Sequence, residues 1–251
     1  MLLLPDLTPI QWLLVITGAA GIGITKAGFS GVGFVHLLIF AFVFGPREST
    51  GLILPMLVVG DVLAVIAFRQ HARWDYMRHM LPPACLGVIV GALVMWRVTD
   101  DSLFRPLMGW ILMALTVMQL AHMARPQLFA GAPHSRPFAW AMGLLAGWTT
   151  MLANGAGPII TLFTLAIGLP KFELVGTGAW FFLIMNAFKL PFSYALGLIG
   201  GSSLALNLVL IPPIVIGIVV GRWLTHAVPQ RLFNAVLLVL TAVAALRLVW
   251  G

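Results

Sequence analysis

The sequence has few charged residues, a single cysteine and none of the common metal-binding or catalytic motifs. Only 8% of its 251 residues are charged, seven residues are acidic, and there are one cysteine and two tyrosines. Cys85 therefore cannot form a disulfide within the chain. The sequence also lacks an HExxH motif, a cysteine–histidine cluster, a Walker-type phosphate loop and a recognisable serine–histidine–aspartate signature. We accordingly expect no metal, no cofactor and no enzymatic activity.

Apolar side chains dominate the composition. Hydrophobic residues make up 61% of the chain and the mean hydropathy is +1.06, more apolar surface than a soluble fold of this length could bury. These values predict a polytopic membrane protein in contact with the lipid bilayer. The net charge of +7 comes from lysines and arginines scattered singly between apolar runs. That pattern is typical of membrane loops and argues against nucleic acid as a partner.

Apolar runs separated by charged residues or by glycine and proline predict ten helical segments. They cover about 9–26, 32–45, 49–69, 77–96, 102–123, 137–153, 157–169, 173–198, 203–224 and 229–249. At ~1.5 Å per residue the second and seventh segments reach only about 20 Å, less than a ~30 Å hydrocarbon core. We expect an all-α fold in which these two are broken or re-entrant, with 8–10 segments in total.

The sequence also contains an internal repeat. PPACLGVIVGALV, beginning at Pro82, aligns with PPIVIGIVVGRWL, beginning at Pro212, at an offset of 130 residues. The GVG at 31–33 aligns with the GAG at 155–157 at an offset of 124. Ordered glycine and proline landmarks over such a length indicate a duplication rather than chance.

The number of segments in each half determines the expected topology. Each half has five, an odd number, so the second half must enter the membrane from the opposite face. The chain 1–251 is therefore predicted to be a single transmembrane domain of two inverted repeats, about 7–123 and 137–250, joined by a linker at 124–136.

Basic residues between the segments are divided unequally between the two faces. One face collects Arg69, Arg73, Arg78, Arg125, Arg136, Lys171, Arg222 and Arg231, against Arg47, Arg97, Arg105 and Arg247 on the other. The richer face is predicted to be cytoplasmic, which places both termini on the periplasmic side.

Three ionisable residues lie in or beside apolar runs. Lys26 and Lys189 would be retained there if they faced a partner or a wet cavity, although each could also snorkel or pair structurally. Asn186 precedes Lys189 by one helical turn and aligns with Asp61 at an offset of 125. We interpret Asp61 either as the partner of a lysine in an ion pair or as a group that titrates during proton coupling.

Two glycine-containing stretches interrupt the apolar runs, TKAGFSGVGFV at 25–35 and TTMLANGAGPIIT at 149–161. The short helix after each one would point its free N–H groups and positive dipole end toward the interruption. If inverted hairpins bring the two interruptions together, these groups and the two lysines form an anion site. Further neutral donors could come from Ser30, Thr149, Thr150 and Asn154.

The remaining ionisable residues carry weaker signals. His36 has no cysteine, histidine or carboxylate at ligand spacing, and we favour a packed histidine over a proton relay. Glu48 and Glu173 each follow a proline and a basic residue, which predicts carboxylates in the first turn of a helix.

Several stretches together resemble a known family. They are KAGFSGVGFV, the GD at Asp61 with Arg69 and Trp74 after it, the LPP before GVIVG, ANGAGP at 153–158 and NAFKLPF at 186–192. In this order they resemble the TauE/SafE sulfite exporter family, also called TSUP or the 4-toluene sulfonate uptake permease family. The resemblance covers nearly the whole chain.

The resemblance implies a secondary transporter of the bacterial inner membrane that exports sulfite, sulfoacetate or related organosulfonates by alternating access, without ATP hydrolysis. The substrate-binding positions that it implies are Lys26, Ser30, Gly31, Gly33, Asn154, Gly155, Gly157, Asn186 and Lys189. Because Thr150 aligns with Lys26, this site would not be symmetric.

Two other functions are compatible with the sequence. An anion channel would use the same donors. An intramembrane enzyme or a membrane subunit of a sulfur-metabolising complex would need a reactive pair of side chains or a soluble partner. The exact anion, the coupling ion and assembly into a homo-oligomer stay open at this point.

Overall fold

The computed structural model describes residues 4–27, 34–125, 135–227 and 230–250, and the regular elements within these ranges are all helical. They are α1 (Pro9–Lys26), α2 (Val35–Phe44), α3 (Pro46–Leu52), α4 (Leu54–Phe68), α5 (Trp74–Arg97), α6 (Asp101–Ala124), α7 (Arg136–Ala153), α8 (Gly157–Ala166), α9 (Lys171–Ala195), α10 (Gly201–Ala227) and α11 (Gln230–Trp250). The predicted all-α fold is confirmed, and the third predicted segment is divided at Ile53 into α3 and α4.

Among the described residues, five spans are long and apolar enough to cross a membrane. They are Pro46–His71, Trp74–Arg97, Asp101–Ala124, Phe172–Ala195 and Gly201–Leu224. The first joins α3, α4 and a short 3-10 turn into one run of 26 residues. The protein is therefore a multi-pass membrane protein.

The two short segments are helices of ten residues each, α2 and α8. At ~1.5 Å per residue each extends about 15 Å, half of a hydrocarbon core. Within the described ranges, no side chain caps the N-terminus of α2 or α8, in contrast with α1 and α7, which are capped by Thr8 and Ser135. The N–H groups of the first turns of α2 and α8 are therefore left for other partners.

The interruption between α7 and α8 is made by an asparagine. Asn154 adopts the left-handed conformation with φ of 48°, and α8 begins three residues later at Gly157. The sequence attributes this break to Gly155, Gly157 and Pro158. Asparagine tolerates the left-handed region better than most residues, and its side chain makes hydrogen bonds that hold the turn.

The helices pair across the two halves of the chain. The main pairs are α5 with α7, α1 with α10, α6 with α11 and α4 with α9. When the predicted segments are numbered within each half, the fourth segment of each half (α5 or α10) packs on the first segment of the other half (α7 or α1). The third and fifth segments pack on their own counterparts. The predicted two-fold relation between the halves would produce this pattern.

Glycines bring the paired backbones into direct contact. A Cβ placed on Gly147 of α7 would lie 1.9 Å from the carbonyl oxygen of Ala84 in α5. A Cβ on Gly23 of α1 would lie 2.0 Å from the carbonyl oxygen of Ile214 in α10. Small residues at such interfaces let transmembrane helices pack closely.

A second set of glycines repeats the arrangement in the opposite direction. A Cβ on Gly87 would lie 2.2 Å from the oxygen of Leu144, and one on Gly217 would lie 2.1 Å from the oxygen of Ala20. Gly87 and Gly217 are 130 residues apart, and Ala20 and Leu144 are 124 apart. These are the two offsets of the aligned repeat, so the contacts agree with the alignment; the inverted repeat and its boundaries stay a prediction.

We predict that Gly147→Ala and Gly23→Ala each lower the unfolding temperature of the purified protein in detergent. Each added methyl group must push two backbones apart, and overpacking of this kind costs about 1–3 kcal/mol or more. Gly201→Ala is the matched control, because a Cβ there meets no atom within 4 Å. Scanning fluorimetry of the three variants measures the difference, and equal unfolding temperatures would contradict the close packing.

Candidate functional site

A cavity of about 90 Å³ lies where α1, α2, α4, α7, α8 and α9 meet. Its polar lining residues are Thr25, Lys26, His36, Asp61, Thr150, Asn154 and Asn186. Apolar residues, among them Phe34, Leu57 and Phe182, complete the wall. The volume is enough for a few water molecules or one small ion.

An ion pair closes one side of the cavity. The Lys26 ammonium donates to Oδ1 of Asp61, and Nδ2 of Asn186 donates to Oδ2 at 2.7 Å. Asp61 is fully buried, whereas the Lys26 side chain is 15% exposed. The ammonium also lies 4.8 Å from the centre of the Phe182 ring, a distance typical of a cation–π contact. A buried carboxylate is thus held by one cation and one amide, as an apolar interior demands.

Lys189 is enclosed behind the cavity wall. Its side chain is 1% exposed, and its Nζ lies 2.5 Å from Oδ1 of Asn154, 3.3 Å from Oγ1 of Thr150 and 3.3 Å from Oδ1 of Asn186. An ammonium group has three N–H donors, and three oxygens surround this one. Because all three acceptors belong to residues that line the cavity, Lys189 fixes the orientation of the wall.

Asn154 connects this cluster to the opposite half of the chain. Its Nδ2 donates to the carbonyl oxygen of Thr50 in α3 at 3.0 Å, while its Oδ1 accepts from Lys189. The residue that breaks α7 is therefore also the residue that joins α7, α9 and α3.

Both half-length helices begin at the cavity. Phe34 and His36 at the start of α2 line it, and so do Gly157 and Pro158 at the start of α8. The positive dipole ends and the uncapped first turns of the two helices therefore face the same space. Such a convergence favours a negatively charged occupant.

The cavity lies near the middle of the spanning helices. Asp61 is ten residues from the end of the span Pro46–His71, which is about 15 Å along a helix axis. That distance is half of a ~30 Å hydrocarbon core. The site therefore lies at the depth where transporters with broken helices hold their cargo.

The structure brings together most of the residues that the sequence singles out. Lys26, Asn154, Gly157, Asn186 and Asp61 line the cavity, and Lys189 contacts its wall. Gly155 is buried beside it, where an added Cβ would lie 2.7 Å from Cδ1 of Leu115 and 3.7 Å from Cε1 of Phe34. Ser30, Gly31 and Gly33 lie outside the described residues.

The other polar residues that the sequence analysis names differ in whether they line the cavity. The hydroxyl of Thr149 donates to the carbonyl oxygen of Leu145 at 2.8 Å and so turns back onto its own helix, while its neighbour Thr150 lines the cavity. Glu48 and Glu173 occupy the first turns of α3 and α9, as predicted.

His36 lines the cavity, although the sequence analysis does not assign it to the site. It is 6% exposed and belongs to the cavity wall, although the sequence favours a packed histidine without function. The only signal for it was its place directly after an interruption, at the start of a short helix. Over the described ranges no three histidine, cysteine or carboxylate side chains lie close enough to hold a metal ion.

Comparison with known protein families now adds an independent observation. The model of the family described as "Sulfite exporter TauE/SafE" matches residues 14–248. The chain belongs to the TauE/SafE sulfite exporter family. A search of curated proteins and a search of solved structures found no match. Membership in the TauE/SafE family supports a role in anion transport, with which the polarity of the cavity agrees.

A second cavity of this TauE/SafE protein is lined by basic side chains. Its volume is about 390 Å³, and its acidic and basic lining residues are Arg73, Asp75, Arg78, His79 and Arg136. Nη1 of Arg73 lies 2.9 Å from Oε2 of Glu173 at the start of α9, and this contact raises the pKa of Arg73. The cavity lies on the face that the basic residues predict to be cytoplasmic.

We predict that Asp61→Leu destabilises this TauE/SafE protein by about 3–5 kcal/mol, because it leaves the Lys26 ammonium without its counter-charge. The double variant Lys26→Met, Asp61→Leu should recover a large part of the loss, since apolar replacement of a whole buried pair is often neutral. Denaturant titration of the single and double variants measures the coupling. Additive losses would contradict the ion pair.

Proposed function

We propose that the protein is a secondary transporter that exports a small sulfur-containing oxyanion, sulfite or an organosulfonate such as sulfoacetate, across the bacterial inner membrane by alternating access. The single observation that carries the proposal is the convergence of two uncapped helix N-termini with Lys26 and the polar wall of one small central cavity. Membership in a family described as sulfite exporters supports a sulfur oxyanion as the anion.

The charges of the cluster support an anion as cargo. Lys26 and Lys189 contribute two positive charges and Asp61 contributes one negative charge. No acidic residue occurs at positions 27–35, which follow Lys26 in the sequence. A bound monoanion would bring the net charge of this buried group to zero, which lowers its cost in an apolar interior.

The two lysines have different roles in the proposal. Lys26 lines the cavity and keeps N–H donors beyond the one given to Asp61, so it contacts the anion. Lys189 acts through Thr150, Asn154 and Asn186, whose orientation it fixes. We assign it as a positioning residue that also supplies charge.

The membrane potential can drive the export. An anion that leaves a negative interior moves downhill by ~2.3 kcal/mol per charge per 100 mV. The basic cavity on the predicted cytoplasmic face would raise the local anion concentration before binding. Alternating exposure would then involve the two broken helices of the predicted inverted repeats.

We predict that Lys26→Ala and Lys189→Ala each lower kcat/KM for anion transport more than about tenfold, because a charge-assisted hydrogen bond contributes about 1.5–3 kcal/mol. The measurement is uptake of labelled sulfite, sulfoacetate, thiosulfate and sulfate by oriented proteoliposomes. Lys171→Ala is the matched control, since Lys171 is the first residue of α9 and lies about 27 Å along that helix from Lys189.

Three outcomes of this experiment contradict parts of the proposal. Wild-type transport of none of the four anions would refute the substrate class. Unchanged transport by both cavity variants would refute the site. Uptake that is insensitive to anion on the opposite side of the membrane would indicate a channel, whereas a carrier shows stimulated exchange.

Coupling to protons through Asp61 is a separate prediction. If Asp61 gains and loses a proton in each cycle, Asp61→Asn removes the dependence of transport on the pH gradient, because an amide cannot titrate. The asparagine still accepts a hydrogen bond from Lys26 and so preserves part of the geometry. Uptake measured with and without an imposed pH gradient decides the point, and an unchanged gradient dependence would leave Asp61 as a structural partner only.

A further inference from the structure

His36 stands apart from the other polar residues of the cavity. It is the second residue of α2, and only 6% of its surface is exposed. The other buried side chains of the wall, Asp61, Thr150, Asn154 and Asn186, each make a hydrogen bond within the cluster. His36 makes no hydrogen bond with any residue of the described chain.

The side chain of His36 belongs to the lining of the cavity and is otherwise buried. The small part of its surface that is exposed therefore faces the cavity. A buried polar group without a partner costs about 1–3 kcal/mol, so an occupant of the cavity is expected to satisfy it.

The start of α2 lies close to α1 at His36. Gly21 of α1 faces His36, and a Cβ added at Gly21 would lie 3.3 Å from the His36 Cβ. The glycine thus gives the start of α2 its close approach to α1. Lys26, five residues further along α1, lines the same cavity as His36.

We propose that His36 contacts the transported anion and donates a hydrogen bond from its ring to one of the anion's oxygen atoms. Together with the N–H groups of the first turn of α2 and the Lys26 ammonium, it forms the α2 side of the binding site. The inference rests on the proposed function, because the anion is the cargo of the same cavity. It adds a neutral, directional donor, which favours an oxyanion over a spherical halide ion.

The first test separates substrate contact from packing by transport kinetics. His36→Phe keeps a ring but removes the donor, and we expect KM for sulfite to rise about tenfold. His36→Gln keeps an N–H donor, so its KM should rise less. His71→Gln is the matched control, because His71 is exposed and its ring lies 5.6 Å from the Phe172 ring. An unchanged KM in His36→Phe would overturn the proposal.

The second test measures binding to the wild-type protein and needs no transport-active variant. Purified wild-type protein labelled with ¹⁵N-histidine gives ring signals for its six histidines. Comparison with His36→Gln or His36→Phe, whichever keeps the other five signals in place, identifies His36 by the missing signal. Titration with sulfite should shift the His36 signal at concentrations that saturate transport, while the His71 signal stays in place. Saturating transport without such a shift would overturn the assignment.

The two tests distinguish this inference from the proposed function. If wild-type protein transports none of the sulfur anions, the proposed function fails. A His36 signal that shifts with sulfite or sulfate would then still support an anion contact. An unmoved signal would refute that contact. If transport works and His36→Phe keeps the wild-type KM but loses the dependence of transport on the pH gradient, His36 relays protons. That result would also overturn substrate contact.

Discussion

Charge enclosed in an apolar bundle is the constraint on which this structure depends. Asp61 is fully buried and Lys189 is 1% exposed, so each must find a partner on another helix. The Lys26 side chain is 15% exposed and supplies the counter-charge to Asp61. The partners that satisfy them lie on α1, α4, α7 and α9, and Asn154 extends the network to α3. The polar cluster thereby determines which helices meet at the centre, while the glycine contacts determine how closely α1 approaches α10 and α5 approaches α7.

The aligned repeat explains why the cluster is asymmetric. Asp61 and Asn186 occupy aligned positions and hydrogen-bond to each other, as two residues near a two-fold axis would. Lys26 aligns with Thr150, so one half supplies an ammonium where the other supplies a hydroxyl. In the predicted repeat, the shared framework would account for the two helix N-termini that face one cavity, and the divergence of a few side chains would account for the excess of positive charge there. Framework and charge therefore come from different features of the sequence.

The sequence predicts the framework well because hydropathy and helix-breaking residues act locally. Segment limits such as Pro9–Lys26 and Gly157–Ala166 follow from apolar runs and their interruptions. The finer geometry depends on contacts between distant helices, which a one-dimensional pattern does not contain. The sequence analysis places Lys189 among the residues that bind the anion. In the structure its three N–H donors face oxygen atoms of residues in the cavity wall. The sequence analysis assigns the break after α7 to glycine, whereas Asn154 makes the left-handed turn. It also interprets His36 as a packed residue, because an apolar segment indicates burial but does not show whether a buried ring lines a cavity.

The proposed transport cycle follows from an imbalance within the site. With its cavity empty, the cluster holds two ammonium groups against one carboxylate, and the uncapped ends of α2 and α8 add further positive potential. An anion relieves this imbalance when it binds, so the occupied centre is easier to enclose between closed helices than the empty one. A state open to one side favours entry of the anion, and the neutralised site favours closure over it. The membrane potential then acts on the negative charge once the opposite side opens. Selectivity for the sign of the cargo and conformational coupling thus originate in the same excess charge.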